Sequence, residues 1–333
     1  MPDTRISAPL ASAALMATLA VGCGGSPPPP AAPSVAATEA STSSPTASSV
    51  AASAGSPQEG SPQEGSPQIV NSAAGLVHIQ YRVYGSGEPL VVLIHGWSCD
   101  SNYWSAQIAD LKSRYSVVTV DLAGHGGSGA NRSDWSMGAF GDDVAAVVNA
   151  LPQHPKVILI GHSMGGPVAV EAARRLQSRV VGVIGVDTFK SVGAPPPPAA
   201  ETAARMKAFE TDFIGNTRTL VTTSFFTKNS DPALVRRIAD DMSQAPPAVA
   251  VPAVRALNSW DGVTAMKALK VPIIAVNSDL GPPTRTRDIR KFAPTFDAVI
   301  VDGLGHFLMM EDPQRVNPIL DAQIQKILAT PPG

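Results

Sequence analysis

Short apolar runs alternate with amphipathic stretches from Ile69 nearly to the end of the chain. Runs at 76–84, 90–94, 117–121, 156–160, 180–186, 271–276 and 296–301 are rich in Val, Ile and Leu and of strand length. Stretches at 102–114, 137–151, 168–177, 288–292 and 313–328 carry helical patterns, the last with Asp312 as N-cap and Pro313 as first helical residue. Strands without polar alternation must be buried on both faces, so this order predicts an α/β fold with a mostly parallel, doubly wound sheet. Ligands of such sheets meet the carboxyl ends of the strands, where His95, Ser163 and Asp187 fall. The alternation breaks over about 188–270. Pro195-Pro196-Pro197-Pro198, helical stretches near 200–213 and 233–242, and Pro246-Pro247 predict a helical cap over the sheet.

Within this pattern, Gly161-His162-Ser163-Met164-Gly165 joins a buried strand to a helix that opens at Gly166-Pro167. A serine on so sharp a turn has strained dihedrals, and the glycines two before and two after it let strand and helix cross closely. The hydroxyl is raised above the sheet at a helix N-terminus. There the Met164 N–H can meet a developing oxyanion.

The first 68 residues carry no such pattern. Arg5 precedes an alanine-rich apolar run that ends in Ala20-Val21-Gly22-Cys23. This resembles the lipobox of bacterial lipoproteins, which implies a signal peptide over 1–22 and a lipid on Cys23. Ordinary secretory cleavage and an uncleaved anchor are the other readings. The run is short and polar for a membrane span. Residues 23–68 are mostly Pro, Ala, Ser, Thr and Gly, ending in repeats of Ser-Pro-Gln-Glu-Gly. With almost nothing large to bury, this segment is expected to be a disordered tether ahead of a folded domain at 69–333. The implied location is that of an exported protein, lipid-anchored to a membrane and facing the periplasm or the exterior.

The chain has 333 residues, 44% of them hydrophobic, enough for one large core. Its 25 basic and 27 acidic residues form no stripe, which argues against nucleic acid as a partner. The only cysteine besides Cys23 is Cys99, so acylation of Cys23 would exclude an intramolecular disulfide. Metal-binding and phosphate-loop spacings are absent, and Gly124 to Gly129 reads as a tight turn; no metal or cofactor is expected.

Together His95-Gly96-Trp97, the run from Asp121 to Ser128, the Ser163 turn and Gly303-Leu304-Gly305-His306-Phe307 make the domain resemble the α/β-hydrolase family over 69–330. The resemblance implies a nucleophile, acid and histidine in that chain order. Ser163 needs a neighbouring base, and His306 has the order and flanks for it. The carboxylate that orients the imidazole is Asp279 by the family's usual position, with Asp187 as the alternative. Trp97 and Met164 supply the implied oxyanion-hole N–H groups, and His95, Trp97 and Cys99 are candidates to line the substrate entrance. The expected activity is a cofactor-independent serine hydrolase acting on a small acyl substrate such as a carboxylic ester. Cofactor-free perhydrolysis or haloperoxidation, carbon–carbon hydrolysis, and slow-turnover ligand binding are the alternatives.

Overall fold

The computed structural model describes residues 64–72 and 77–330. The signal segment, Cys23 and the linker up to residue 63 lie outside the described residues. Eight strands form one sheet: β1 (Gln68–Asn71), β2 (His78–Tyr84), β3 (Leu90–Ile94), β4 (Ser116–Val120), β5 (Val157–His162), β6 (Val180–Val186), β7 (Ile273–Ser278) and β8 (Phe296–Val301). Their spatial order is β1-β2-β4-β3-β5-β6-β7-β8. The two pairings made by β2 are antiparallel, and all pairings from β4 through β8 are parallel. Every residue of β3, β4, β5 and β7 is buried, which is why these strands are mostly apolar and lack a polar alternation.

Strand β1 begins within the stretch expected to be tether. The edge of β2 presents backbone groups that need partners, and Gln68 to Asn71 supply them, with Gly65 N–H donating to Val83 O at 2.9 Å. The helix expected at 102–114 is divided into a 3-10 turn, capped by the Asp100 carboxylate, and α1 (Ser105–Leu111). Next come α2 (Met137–Asn149), whose Ser136 cap accepts from Ala139 N–H, and α3 (Gly165–Leu176). Helix α1 packs on α11 (Pro313–Ala329), and α2 packs on α3. Asp312 caps α11 as the sequence predicts, accepting from Arg315 N–H.

Between β6 and β7 lie five helices: α4 (Ala199–Thr211), α5 (Phe213–Ser224), α6 (Pro232–Ser243), α7 (Pro247–Asn258) and α8 (Gly262–Lys267). Two of them run against local propensity. Helix α5 holds Thr217, Thr219, Thr222 and Thr223, and three of these hydroxyls bond back to carbonyls one turn earlier. Helix α7 contains Pro252 and is kept by burial of Val249, Ala250 and Ala253. Short helices α9 (Thr286–Ile289) and α10 (Leu308–Glu311) flank β8. Among the described residues no helix is long and apolar enough to cross a membrane.

The crossing of β5 and α3 sets where the serine turn stands. A Cβ on Gly161 would stand 2.0 Å from Gly165 O, and one on Gly165 would stand 2.4 Å from Ile94 O. Neither backbone atom can move aside without unpairing the sheet, so only glycine fits at either position.

Candidate active site

Strand β5 leaves the sheet at His162, and Ser163 turns the chain with φ of 51°. The Ser163 N–H donates to Val186 O at 3.0 Å, and Ser163 O accepts from Gly166 N–H at 3.0 Å. A non-glycine residue in this left-handed region is strained by about 1–3 kcal/mol, and bonds to β6 and α3 hold it there. The side chain is half-buried at the carboxyl end of the sheet.

His306 arrives against His162, the residue before Ser163, on the loop between β8 and α10. The His162 and His306 rings stand 4.8 Å apart, and His162 Nε2–H donates to His306 O at 2.9 Å. His306 Nδ1 lies 2.6 Å from Asp187 Oδ2. Asp187 closes β6 with φ of 47°, and its other oxygen, Oδ1, accepts from Ser278 N–H and Ser278 Oγ, each at 2.8 Å, and from Lys190 Nζ at 2.8 Å. Burial alone would raise this carboxyl. The His306 bond and charge, with Lys190 beside it, outweigh burial and hold it at about 2. An ionised Asp187 accepts the Nδ1 proton, which leaves His306 Nε2 as the basic nitrogen.

Of the two candidate acids, the structure brings the alternative, Asp187, to His306 and leaves the favoured one, Asp279, away from it. Asp279 is exposed and its Oδ1 accepts from Gly303 N–H at 2.8 Å, tying the loop after β7 to the loop after β8; Asp187 is the carboxylate that meets His306. Where the usual acid position would begin, Asn277 and Ser278 support Asp187 instead. Asn277 Oδ1 accepts from Thr188 N–H at 2.9 Å while its Nδ2 donates to Thr188 O at 3.0 Å. Sequence reasoning passed over these two residues, although a polar pair ending an apolar strand was a signal that something at that end needed partners.

The candidates for the entrance also sort differently. His95 is fully buried: its Nδ1 lies 2.8 Å from Gly96 O and its Nε2 accepts from Leu122 N–H at 3.0 Å, so it joins the turns after β3 and β4. Cys99 is buried with Sγ on Trp97 O at 3.3 Å, and burial pushes its thiol well up. Neither side chain is free to meet a ligand. The Trp97 indole N–H donates to Ala250 O at 2.7 Å, and its ring packs edge-on to Phe209 and Phe213. Trp97 is therefore a core anchor for α4, α5 and α7. Among the described residues, neither the Trp97 nor the Met164 backbone N–H has a protein acceptor.

The cap grips the histidine loop from above. His306 N–H donates to Phe225 O at 2.7 Å, and the Phe225 ring lies 4.5 Å from the imidazole. Glu311 joins cap and loop, Oε1 accepting from Gly305 N–H at 2.9 Å and Oε2 from Ser230 Oγ at 2.6 Å. Beneath the cap a cavity of about 590 Å³ reaches His306 and Asp187, walled by Val192, Leu220, Phe225, Leu257 and Trp260. Among the described residues no group of three or more His, Cys, Asp or Glu side chains is placed to hold a metal ion.

Sheet order, strained serine turn and capped histidine loop together define a class, and comparison with known proteins agrees. Residues 91–319 match the model of the alpha/beta hydrolase family, and the chain belongs to that family. An uncharacterized protein of Mycobacterium tuberculosis is 30% identical over 276 residues, covering 72% of this chain and 76% of its own. The pimeloyl-[acyl-carrier protein] methyl ester esterase of Methylococcus capsulatus is 31% identical over 163 residues, 48% of this chain and 62% of the esterase. A thermophilic esterase from Thermogutta terrifontis superposes with a TM-score of 0.69 at 24% identity, covering 79% of this chain and 99% of the esterase. Esterases thus stand among the proteins that this alpha/beta hydrolase resembles.

Three buried histidines stand in the turns at or just after the ends of β3, β4 and β5. Burial pushes His162 and His125 down to about 3, aided by His306 for the first and His95 for the second, and burial lowers His95. In the unfolded chain a histidine takes its proton near pH 6.5, whereas these folded rings refuse it until far lower. His162 and His125 therefore each remove stability as pH falls below about 6.5, by about 1.4 kcal/mol per pH unit, until the folded value of about 3 is reached. Between pH 7.5 and 5, urea unfolding should show the wild type losing about 2 kcal/mol more than His125→Gln. Equal losses in the two proteins would contradict a neutral buried ring at position 125.

Proposed function

We propose that this protein hydrolyses uncharged carboxylic esters through Ser163, His306 and Asp187. The observation that carries the reading is the 2.6 Å contact of His306 Nδ1 with Asp187 Oδ2 beside the strained serine turn. His306 Nε2 takes the Ser163 Oγ proton as the oxygen attacks the carbonyl carbon. Negative charge gathers on the carbonyl oxygen, where the Trp97 and Met164 N–H groups receive it at the N-terminus of α3. Collapse of this intermediate breaks the carbon–oxygen bond, and His306 returns the proton to the departing alkoxide. Water, deprotonated by the same imidazole, then attacks the acyl-enzyme and releases acid and free serine. Asp187 stays ionised throughout and stabilises the imidazolium.

The cavity meets the proposed triad at His306 and Asp187, Ser163 not being among its walls, and its largely apolar lining favours an uncharged substrate. Its one amine, Lys190, is engaged by Asp187, Ser278 and Leu280 O, which leaves no free cation there for a carboxylate-bearing substrate. Similarity to the methyl ester esterase of Methylococcus capsulatus favours the same chemistry. For location, the small residues before Cys23 support a lipid anchor on that thiol, carried on a Pro- and Ser-rich tether.

A fluorophosphonate probe should label the full-length protein at Ser163, and Ser163→Ala should lose labelling together with about 10⁴- to 10⁶-fold of its turnover of p-nitrophenyl butyrate. A wild type that resists the probe under conditions that label a known serine esterase would defeat the proposal. Radiolabelled palmitate should enter the wild type in a bacterial host and be absent from Cys23→Ala; equal incorporation would refute the anchor.

A further inference from the structure

The turn after β6 holds a cation that the hydrolytic steps do not use. Asp187 and Phe189 both have positive φ, 47° and 65°, which coils residues 187–190 back on themselves. The buried Phe189 ring, edge-on to Phe296, anchors this coil and returns Lys190 to the carboxylate three residues before it. The Lys190 side chain is only 11% exposed; its ammonium pairs with Asp187 Oδ1 at 2.8 Å and donates to Ser278 Oγ at 3.2 Å and Leu280 O at 2.7 Å. An ion pair and two hydrogen bonds thus fix it. Ser278 Oγ in turn donates to the same Oδ1. One carboxylate oxygen is held by a cation and two further donors, and the other is left to the imidazole.

Resting on the triad proposed above, we infer that Lys190 is a positioning residue that divides the Asp187 charge, withdrawing at Oδ1 part of the negative charge that Oδ2 presents to the His306 imidazole. A cation at Oδ1 repels a proton arriving on the imidazole, and a buried site screens that repulsion weakly. Other charged or titratable groups face the ring from each side. His162, from the end of β5, is neutral; Glu311, from α10, is bound to Gly305 N–H and Ser230 Oγ. The end of α5 presents the uncharged Phe225 ring. Across the cavity, Asp261 caps α8 through Thr264 N–H. Lys190 is the cation that touches the carboxylate.

The test is the pH profile of kcat/KM for p-nitrophenyl butyrate, from pH 5 to 9, in full-length wild type, Lys190→Met, Lys190→Gln and Lys190→Arg. Removing the cation favours the protonated imidazole, so the acid limb should move up by about one pH unit in Met and Gln. Ser278 still holds Oδ1, so the plateau should fall by less than about tenfold. Lys190→Arg should restore the wild-type limb. An unmoved limb in both Met and Gln, or a lowered plateau alone, overturns the inference by reducing Lys190 to a packing role. If Met fails to fold, Gln, which keeps hydrogen-bonding capacity without charge, decides. Should the wild type hydrolyse no ester, the triad reading fails by itself. The low-field proton resonance of His306 Nδ1–H then separates the two claims: titrating at higher pH in Gln than in wild type supports charge division, and identical titrations end it.

Discussion

The hydrogen bond between His306 and Asp187 is the constraint from which the site takes its shape. It joins the ends of β6 and the loop after β8, strands separated in the sheet by β7. The carboxylate that meets His306 therefore comes from the strand next to β5, and the imidazole must reach back across β7 to meet it. Two features make that reach possible. The positive φ of Asp187 turns its carboxylate over the strand ends, and Ser278, ending the intervening strand, holds the oxygen that faces away from His306. A buried carboxylate without such donors would be costly, and its proton would return.

The cap belongs to the same arrangement. Trp97 bonds to Ala250 O and packs on Phe209 and Phe213, so the turn after β3 and the cap helices are fixed together. From the other side Phe225 and Ser230 hold the backbone of the histidine loop, directly and through Glu311. A rearrangement of α5 would thus be felt first at His306. Cap and chemistry are coupled through backbone hydrogen bonds, whose geometry is less forgiving than apolar packing.

How much of this was legible depended on the range of the interaction involved. Strands buried on both faces declare themselves as apolar runs, and the serine turn declares itself because its glycines answer local collisions with Gly165 O and Ile94 O. His306 could be chosen by its order in the chain. The choice between Asp187 and Asp279 could not, because it turns on which loop bends inward, and that is set by Asn277 and Ser278 through contacts about 90 residues away in sequence. The same holds for Trp97, whose indole partner lies 153 residues on. Strand β1 and helices α5 and α7 were missed because tertiary burial and edge pairing override their weak local signals.

Orientation of the imidazole by Asp187 rather than Asp279 is measured by comparing kcat for ester hydrolysis in Asp187→Asn and Asp279→Asn at pH 8. A loss of about 10³- to 10⁴-fold is expected for Asp187→Asn and less than about threefold for Asp279→Asn. The reverse pattern would contradict orientation by Asp187.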